Sequence, residues 1–299
     1  MISLLGFKIL KFDRTINKPN KMKKILFPTD FSEVANNAFI HALEIAKVIK
    51  GEILLLHTFE LPVIENQFTP DSYFSIYDSM QLAQFDAFKT QIPKLRELAE
   101  KRQLENIKLS HKLVEGDLIF NIKKTIEEEK IDFVVMGTSG ATGWEAFFIG
   151  SNTGAVVSAV DVPVLSVPIE AKFDKIKTIG FTTRFRDKDK KPLKQVIKIA
   201  KKANAVVKCL YVKTSKSDVS EDTINEWKED FKGEEIEFSI INSDLIKENI
   251  IDFSTHKNID ILAMITHKRN FFSELFSPSL TKKFSDISVV PILAMHEEE

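Results

Sequence analysis

Five of the chain's ten glycines lie within residues 136–154, in the stretch MGTSGATGWEAFFIGSNTG. Inside regular structure glycine costs about 0.5–1 kcal/mol relative to alanine, so this concentration indicates a special use of the backbone. Gly137 and Gly140 would let a bound group approach the main chain, and Gly150-Ser151 would open a helix whose free N–H groups favour an anion. The Ser151 and Thr153 hydroxyls add donors. The stretch therefore predicts a phosphate cradle built from backbone rather than from charged side chains.

A second polar stretch, Pro28-Thr29-Asp30, follows the apolar run KKILF. Both stretches come at the end of an apolar segment, so in a parallel sheet they would share one edge, where open α/β sheets bind ligands. A carboxylate is a poor phosphate ligand but a good acceptor for ribose hydroxyls or an adenine amino group. The two stretches together predict a nucleotide lying across this edge. The alternative is that the glycines serve only a tight loop and helix packing.

Other chemical motifs are missing from the sequence. It contains no G-x-x-x-x-G-K-[ST], no G-x-G-x-x-G and no G-x-S-x-G,. No histidine pair has metal-ligand spacing and no carboxylate pair is placed for acid–base work, so no catalytic residue is assigned. His57 ends a predicted strand and is interpreted as a packed, hydrogen-bonded histidine. Cys209, the one cysteine, lies in the apolar run AVVKCLYV and is interpreted as a buried structural thiol,.

Short apolar runs alternate with amphipathic segments along the chain, a pattern typical of βαβ units and a parallel sheet. KKILFP is a strand, residues 33–50 form a helix with Ser32 as N-cap and a glycine stop at Gly51, and EILLLHTF is a buried strand,. A polar, aromatic segment is expected from residue 60 to about 81, followed by a helix to about 103. The aromatic residues between Phe68 and Phe88 fit a lid over the site or packing on the sheet equally well.

The pattern then restarts. FPTDF at 27–31 matches FTTRF at 181–185, 154 residues later, whereas VPVL at 162–165 matches VPIL at 290–293, 128 residues later. These matches predict a duplicated domain whose second copy is about 26 residues shorter in its middle. The expected organisation is a leader over residues 1–21, a first domain over 22–170 and a second over 175–299.

The net charge and hydrophobicity of the sequence argue against two classes of protein, general nucleic-acid binders and membrane-spanning proteins. The net charge of −1 argues against a general nucleic-acid binder, and no apolar run reaches the ~18 residues of a membrane span,. One cysteine fits a reducing compartment, so a cytoplasmic protein is expected. Residues 1–21 lack a signal-peptide pattern and are expected to be a poorly ordered leader, with either Met1 or Met22 as the true start,.

KKILFPTDFSEVANNAF, ILLLHTF and Gly137-x2-Gly140-x9-Gly150-Ser151 followed by VPVLSVP together resemble the universal stress protein family over residues 22–170. The resemblance implies two tandem α/β domains, each an open five-stranded parallel sheet of order 3-2-1-4-5 with helices on both faces, of the adenine nucleotide alpha hydrolase-like type. It implies ATP, or AMP or ADP, as ligand, with Mg²⁺ as a candidate companion ion. The binding residues that it implies are Pro28, Thr29, Asp30, Thr58, Met136, Gly137, Gly140, Gly150, Ser151, Asn152 and Thr153.

The second half resembles the family more weakly, because the signature is lost there. Gly137, Gly140 and Gly150 become Ile265, Lys268 and Pro278, Pro28 becomes Thr182 and Asp30 becomes Arg184, while Ser151 survives as Ser279. Proline lacks an N–H, and isoleucine puts a branched side chain where the backbone must be bare. The second half is therefore expected to bind no nucleotide in this manner. Arg184, Lys268 and Arg269 are interpreted as solvated charges, with another bound anion as the alternative.

Three functions stay open at this point. The first is a nucleotide-binding stress or regulatory protein without efficient turnover. The second is an enzyme, either a slow ATPase or an adenylyl-transferring relative. The third is a ligand-free interaction scaffold, in which the last strands of the two halves pair edge to edge as an internal pseudo-dimer. A homodimer of the whole chain is also compatible with the sequence.

Overall fold

The computed structural model describes residues 22–61, 70–138, 151–266 and 290–296. The proposed leader over residues 1–21, Phe68, the glycines Gly140, Gly143 and Gly150, and the counterparts Lys268, Arg269, Pro278 and Ser279 lie outside the described residues. None of the helices in the described ranges is long and apolar enough to cross a membrane.

The first half forms the predicted five-stranded parallel sheet. Its strands have the order β3-β2-β1-β4-β5, and β1 lies between β2 and β4. The elements are β1 (Lys23–Pro28), α1 (Glu33–Ile49), β2 (Gly51–Phe59), α2 (Pro70–Lys101), β3 (Leu109–Glu115), α3 (Leu118–Glu129), β4 (Phe133–Thr138), α4 (Ser151–Ala159) and β5 (Val164–Pro168).

The second half repeats this topology in the order β8-β7-β6-β9-β10. Its elements are β6 (Thr178–Thr182), a 3-10 turn (Asp187–Asp189), α5 (Lys190–Ala203), β7 (Val206–Lys213), α6 (Glu221–Asp230), β8 (Ile236–Asn242), α7 (Ile246–His256), β9 (Ile261–Thr266) and β10 (Ile292–His296). Helix α6 has 10 residues where α2 has 32, which confirms the shortening predicted in the middle of this half.

The two halves share one sheet. β5 and β10 pair antiparallel, with Leu165 opposite Leu293, so the two five-stranded units form a ten-stranded sheet. On the face covered by α1 and α5, a single apolar core runs through both halves and contains Phe27, Val135, Phe181 and Ala263. This edge-to-edge pairing of the two last strands is the pairing predicted for an internal pseudo-dimer.

Helix ends differ from the sequence expectations in two places. Ser32 caps α1 as expected, with its hydroxyl accepting the Ala35 N–H at 3.2 Å. The helix ends at Ile49, Lys50 is its C-cap with φ +57°, and Gly51 already belongs to β2. Helix α2 begins at Pro70, well before residue 82, where a helix was expected. Its first half is held by β3, because the Tyr77 hydroxyl donates to Glu115 Oε1 at 2.6 Å.

Helix α1 also forms hydrogen bonds with the segment that connects the two halves. The Asn37 amide donates to the Pro168 and Ala171 carbonyls at 2.9 and 3.0 Å, and His41 Nε2 donates to the Ala171 carbonyl at 2.9 Å. The Phe173 ring lies edge-on to His41 at 5.2 Å. These contacts fix the start of the connecting segment against the first half.

Candidate functional site

The candidate site lies where the strand order of the first half reverses. β2 and β3 lie on one side of β1, and β4 and β5 lie on the other, so the carboxyl ends of β1 and β4 flank a topological switch point,. Thr29 and Asp30 follow β1, Gly137 is near the end of β4 and α4 begins at Ser151. The fold therefore brings the two polar stretches predicted from the sequence to the same edge of the sheet.

Thr29 sets the shape of the turn after β1. It is buried, its N–H donates to the Leu56 carbonyl at 2.9 Å, and its Oγ1 accepts the Phe31 N–H at 3.0 Å. Phe31 has φ +62°, an uncommon conformation for a residue other than glycine, and this hydrogen bond supports it,. Pro28, the last residue of β1, is also buried. Both residues therefore position the turn that carries Asp30.

The same turn occurs in the second half. Thr183 donates its N–H to the Leu210 carbonyl at 3.0 Å and accepts the Phe185 N–H at 2.9 Å, and Phe185 has φ +55°. Because this half has lost the glycine signature, the threonine–phenylalanine turn belongs to the fold rather than to ligand binding. The residue between them differs, Asp30 in one half and Arg184 in the other.

Asp30 is exposed at the edge of the sheet. Its Oδ1 accepts the Ser32 N–H at 3.0 Å, which fixes the carboxylate beside the first turn of α1. Among the described residues its second oxygen has no hydrogen-bond partner. The structure thus presents one fixed, solvent-facing acceptor next to the switch point, suited to a hydroxyl or amino group of a ligand.

Gly137 is required by packing. A Cβ at this position would lie 2.9 Å from the Val34 carbonyl oxygen and 3.0 Å from its carbon, both backbone atoms of α1. The sequence assigned this glycine to the approach of a ligand, whereas the space where its side chain would be is filled by the start of α1. Its effect on the site is indirect, because it lets α1 begin close to β4 and beside Asp30.

The start of α4 is tied to β4. The Thr153 hydroxyl donates to the Gly137 carbonyl at 3.1 Å and is buried, so it orients the helix and is not presented to solvent. Asn152 is exposed. The Ser151 side chain, Gly140 and Gly150 lie outside the part that the structure describes.

The remaining predicted site residues divide between core and edge. Met136 is buried on the face of β4 opposite to the one that packs on α1, in an apolar cluster with Leu26, Leu56 and Val156. Thr58 is half-buried on β2 and lies opposite Val114 of β3. Met136 thus supports the sheet beneath the edge, and of these two residues Thr58 is the more accessible to a ligand.

A cluster of aromatic rings, which the sequence did not predict as a unit, closes the β2 side of the edge. His57 Nδ1 donates to the Thr29 carbonyl at 2.7 Å, and its ring lies 5.0 Å from Phe31 and 6.1 Å from Phe88 of α2. His57 is therefore packed and hydrogen-bonded, as expected. Of the aromatic residues between Phe68 and Phe88, Phe88 packs on the sheet here, whereas the side chains of Phe74 and Phe85 are 63% and 51% exposed.

In the second half a buried carboxylate, that of Asp189, accepts hydrogen bonds from the turn after β6. Asp189, only 3% exposed, accepts from the Thr183 hydroxyl at 2.9 Å and from the Arg184 N–H at 3.0 Å. At the β4-equivalent position the Ile265 side chain is buried in the core, where the first half has Gly137. The two halves thus share the scaffold and differ in the groups that a ligand would meet.

Cys209 lies on β7, away from the candidate site. Its thiol is buried, and burial raises the pKa of the thiol well above its ordinary value, so it stays protonated. The residue is a packed structural thiol, as expected from its apolar neighbours.

Comparison with known proteins agrees with this architecture. Residues 21–168 match the model of the universal stress protein family. The curated universal stress proteins MJ0531 and MJ0577 of Methanocaldococcus jannaschii are 30% and 31% identical to the chain, over 50% and 48% of its length and 85% and 94% of theirs.

A solved universal stress protein from Archaeoglobus fulgidus shares the fold over both halves. It superposes with a TM-score of 0.69 and 19% identity, covering 93% of this chain and 100% of that one. The likeness in sequence of the two curated relatives and the shared fold lead to one conclusion. The chain belongs to the universal stress protein family.

Proposed function

We propose that this universal stress protein binds ATP, or a related adenine nucleotide, at the carboxyl edge of β1, β2 and β4, and acts as a regulatory protein without efficient turnover. In this proposal Asp30 accepts from the ribose or the adenine, Thr58 flanks the adenine, and the phosphates lie on the backbone of Gly140, Gly150 and Ser151 at the start of α4.

One observation carries the proposal: the two halves share their strand order and the turn after their first strand, and they differ at the residues assigned to the nucleotide. The turn made by Thr29 and Phe31 recurs at Thr183 and Phe185 with the same hydrogen bond. Asp30, Gly140 and Gly150 do not recur, so the fold forms without them. A solvent-facing acceptor and a bare backbone that folding does not need point to a ligand.

Magnesium enters this proposal with the nucleotide. The loop between Gly140 and Gly150, ATGWEAFFI, has no basic residue and carries Glu145. Among the described residues no group of three or more histidine, cysteine, aspartate or glutamate side chains could hold a metal ion. The phosphate charge is then balanced by a Mg²⁺ ion that arrives bound to ATP, together with the amide dipoles at the start of α4.

Calorimetric titration of ATP with Mg²⁺ tests the proposal. Gly140→Lys copies the residue of the second half and should abolish measurable binding, because a side chain would occupy the place of the phosphates. Asp30→Asn keeps the oxygen that accepts from Ser32 but cannot accept a ribose hydroxyl at the other position. It should weaken binding about tenfold, the value of one charge-assisted hydrogen bond.

Ser158→Lys is the matched control, because it adds the same charge on the exposed face of α4 without changing the cradle. Binding by this variant should equal or exceed that of the wild type. Equal heats from wild type and Gly140→Lys, with both proteins folded by circular dichroism, would refute nucleotide binding by the cradle.

A further inference from the structure

The second half has a cavity of its own at the carboxyl edge of β6 and β7. Its volume is about 390 Å³, and it lies between the loop that begins at Arg184 and the loop over residues 214–219, with Thr223 of α6 and Ile246 of α7 completing the wall. Ligand pockets in proteins have volumes of about 300–1,000 Å³. The cavity is thus large enough for a small metabolite and lies at the position equivalent to the Asp30 edge.

Three cations line this cavity, and one of them, Lys216, also lies within electrostatic reach of Asp244, which is outside the lining. Arg184, Arg186 and Lys216 are exposed, and within the described ranges none of them forms an ion pair. Neighbouring Lys213, by contrast, pairs with a carboxylate, Glu221, at 3.4 Å. The lining includes one carboxylate, Asp218. The cavity therefore has an excess positive charge that matches a dianion.

Tyr211 contributes a buried hydroxyl to the wall. The residue is 3% exposed, and among the residues that the structure describes its hydroxyl has no hydrogen-bond partner. Two other hydroxyl residues of the wall bond to each other, since Ser217 Oγ accepts the Thr214 N–H at 2.9 Å and lies 3.2 Å from Thr214 Oγ1. An unpartnered buried hydroxyl is unfavourable, so the arrangement fits a ligand or bound water that the hydroxyl would contact.

The loop that carries the two arginines is held in place. The Asp189 carboxylate accepts from the Arg184 N–H at 3.0 Å and from the Thr183 hydroxyl at 2.9 Å. Phe185, between the arginines, is buried and packs edge-on against Tyr211 and Trp227 at 5.1 Å each. Two guanidinium groups on a fixed loop are suited to the forked hydrogen bonding that phosphate accepts.

We infer that this cavity binds a small organic phosphate. The phosphate dianion would meet Arg184, Arg186 and Lys216, and a compact apolar group would rest on the apolar part of the wall, which consists of Phe185, Val212, Val219 and Ile246. Nucleotide is disfavoured here, because Arg184 replaces the acceptor Asp30 and Pro278 replaces Gly150. The inference rests on the second half alone and does not depend on nucleotide binding by the first.

Phenyl phosphate is a suitable probe, read through Trp227. Trp227 is buried against Phe185, and the chain's other tryptophan, Trp144, lies in the first half, so a Trp144→Phe background leaves one local reporter. At constant ionic strength, phenyl phosphate should change the Trp227 emission saturably. Arg184→Gln with Arg186→Gln should weaken this binding about tenfold or more, because two charge-assisted hydrogen bonds are lost.

Lys228→Gln with Lys232→Gln is the matched control. It removes the same charge from exposed positions of α6 and the loop after it, outside the cavity wall, and should bind like the background protein. Gly140→Lys should also leave the signal intact, which separates this inference from the nucleotide proposal. An absence of saturable change, or equal affinity in the double-arginine variant, would overturn the inference.

Discussion

Replacing Gly137 by alanine should lower the free energy of unfolding by about 1–3 kcal/mol and weaken ATP binding as well. The added Cβ would lie 2.9 Å from the Val34 carbonyl oxygen. This oxygen belongs to the backbone, which cannot relieve the contact by changing rotamer as a side chain can. The first turn of α1 must therefore move. Asp30 accepts from Ser32, which caps that turn, so the proposed nucleotide acceptor would be displaced with it.

The second half shows what accompanies a side chain at this position. Ile265 replaces Gly137, and there a 3-10 turn over Asp187–Asp189 precedes α5, which begins at Lys190, the counterpart of Asn36 rather than of Glu33. The start of the helix is thus displaced along the chain where the strand carries a bulky residue.

Urea denaturation and calorimetry measure the two effects of Gly137→Ala. Gly180→Ala is the matched strand control, because the three atoms nearest to its Cβ would be side-chain atoms of Ile259, Leu262 and Phe253, which can adjust. The control should lose less stability and retain ATP binding. Equal losses in the two variants would contradict the packing role assigned to Gly137.

Acid should destabilise the fold through His41. The side chain is buried and donates to the Ala171 carbonyl, and burial lowers the pKa of His41 from 6.5 to about 4. In the unfolded chain this histidine takes up a proton as the pH falls below about 6.5, whereas the folded protein keeps it neutral down to about 4. The folded state therefore loses stability over this pH range, by up to about 3 kcal/mol.

His41→Gln should remove this dependence. The glutamine amide can still donate towards Ala171 but does not titrate, so the variant should lose about 3 kcal/mol less than the wild type between pH 6.5 and 4. Urea unfolding at several pH values measures the difference.

His256→Gln is the control, since His256 is exposed and pairs with Asp252 on the surface of α7. It should keep the acid sensitivity of the wild type. Parallel pH profiles for wild type and His41→Gln would show that burial of His41 does not shift its titration.

Much of the fold can be predicted from local sequence patterns. The repeats FPTDF and FTTRF, 154 residues apart, fall at the same position of β1 and β6, and the paired residues Ile25–Ile53 and Ile179–Val207 share that spacing. Short buried strands separated by amphipathic helices leave few alternatives to a parallel sheet, whereas the strand order is implied by the resemblance to the universal stress protein family.

Contacts between distant segments could not be predicted in the same way. The early start of α2 depends partly on Tyr77 meeting Glu115, and the need for Gly137 depends on how closely Val34 approaches β4. Likewise, Asp189 lies in the charged run RFRDKDKK, a pattern typical of a solvated loop, yet its side chain is buried and accepts a hydrogen bond from Thr183. Such roles depend on three-dimensional packing, which leaves no periodic signal in the sequence.

Native mass spectrometry of the full chain with ATP and Mg²⁺ tests the central claim most directly. The wild type should carry one nucleotide per chain, and Asp30→Asn combined with Gly140→Lys should carry none. The Arg184→Gln/Arg186→Gln variant should keep its single nucleotide, because the site lies in the first half. Two nucleotides per wild-type chain, or one retained after both first-half substitutions, would contradict a single nucleotide site formed by the glycine stretch and Asp30.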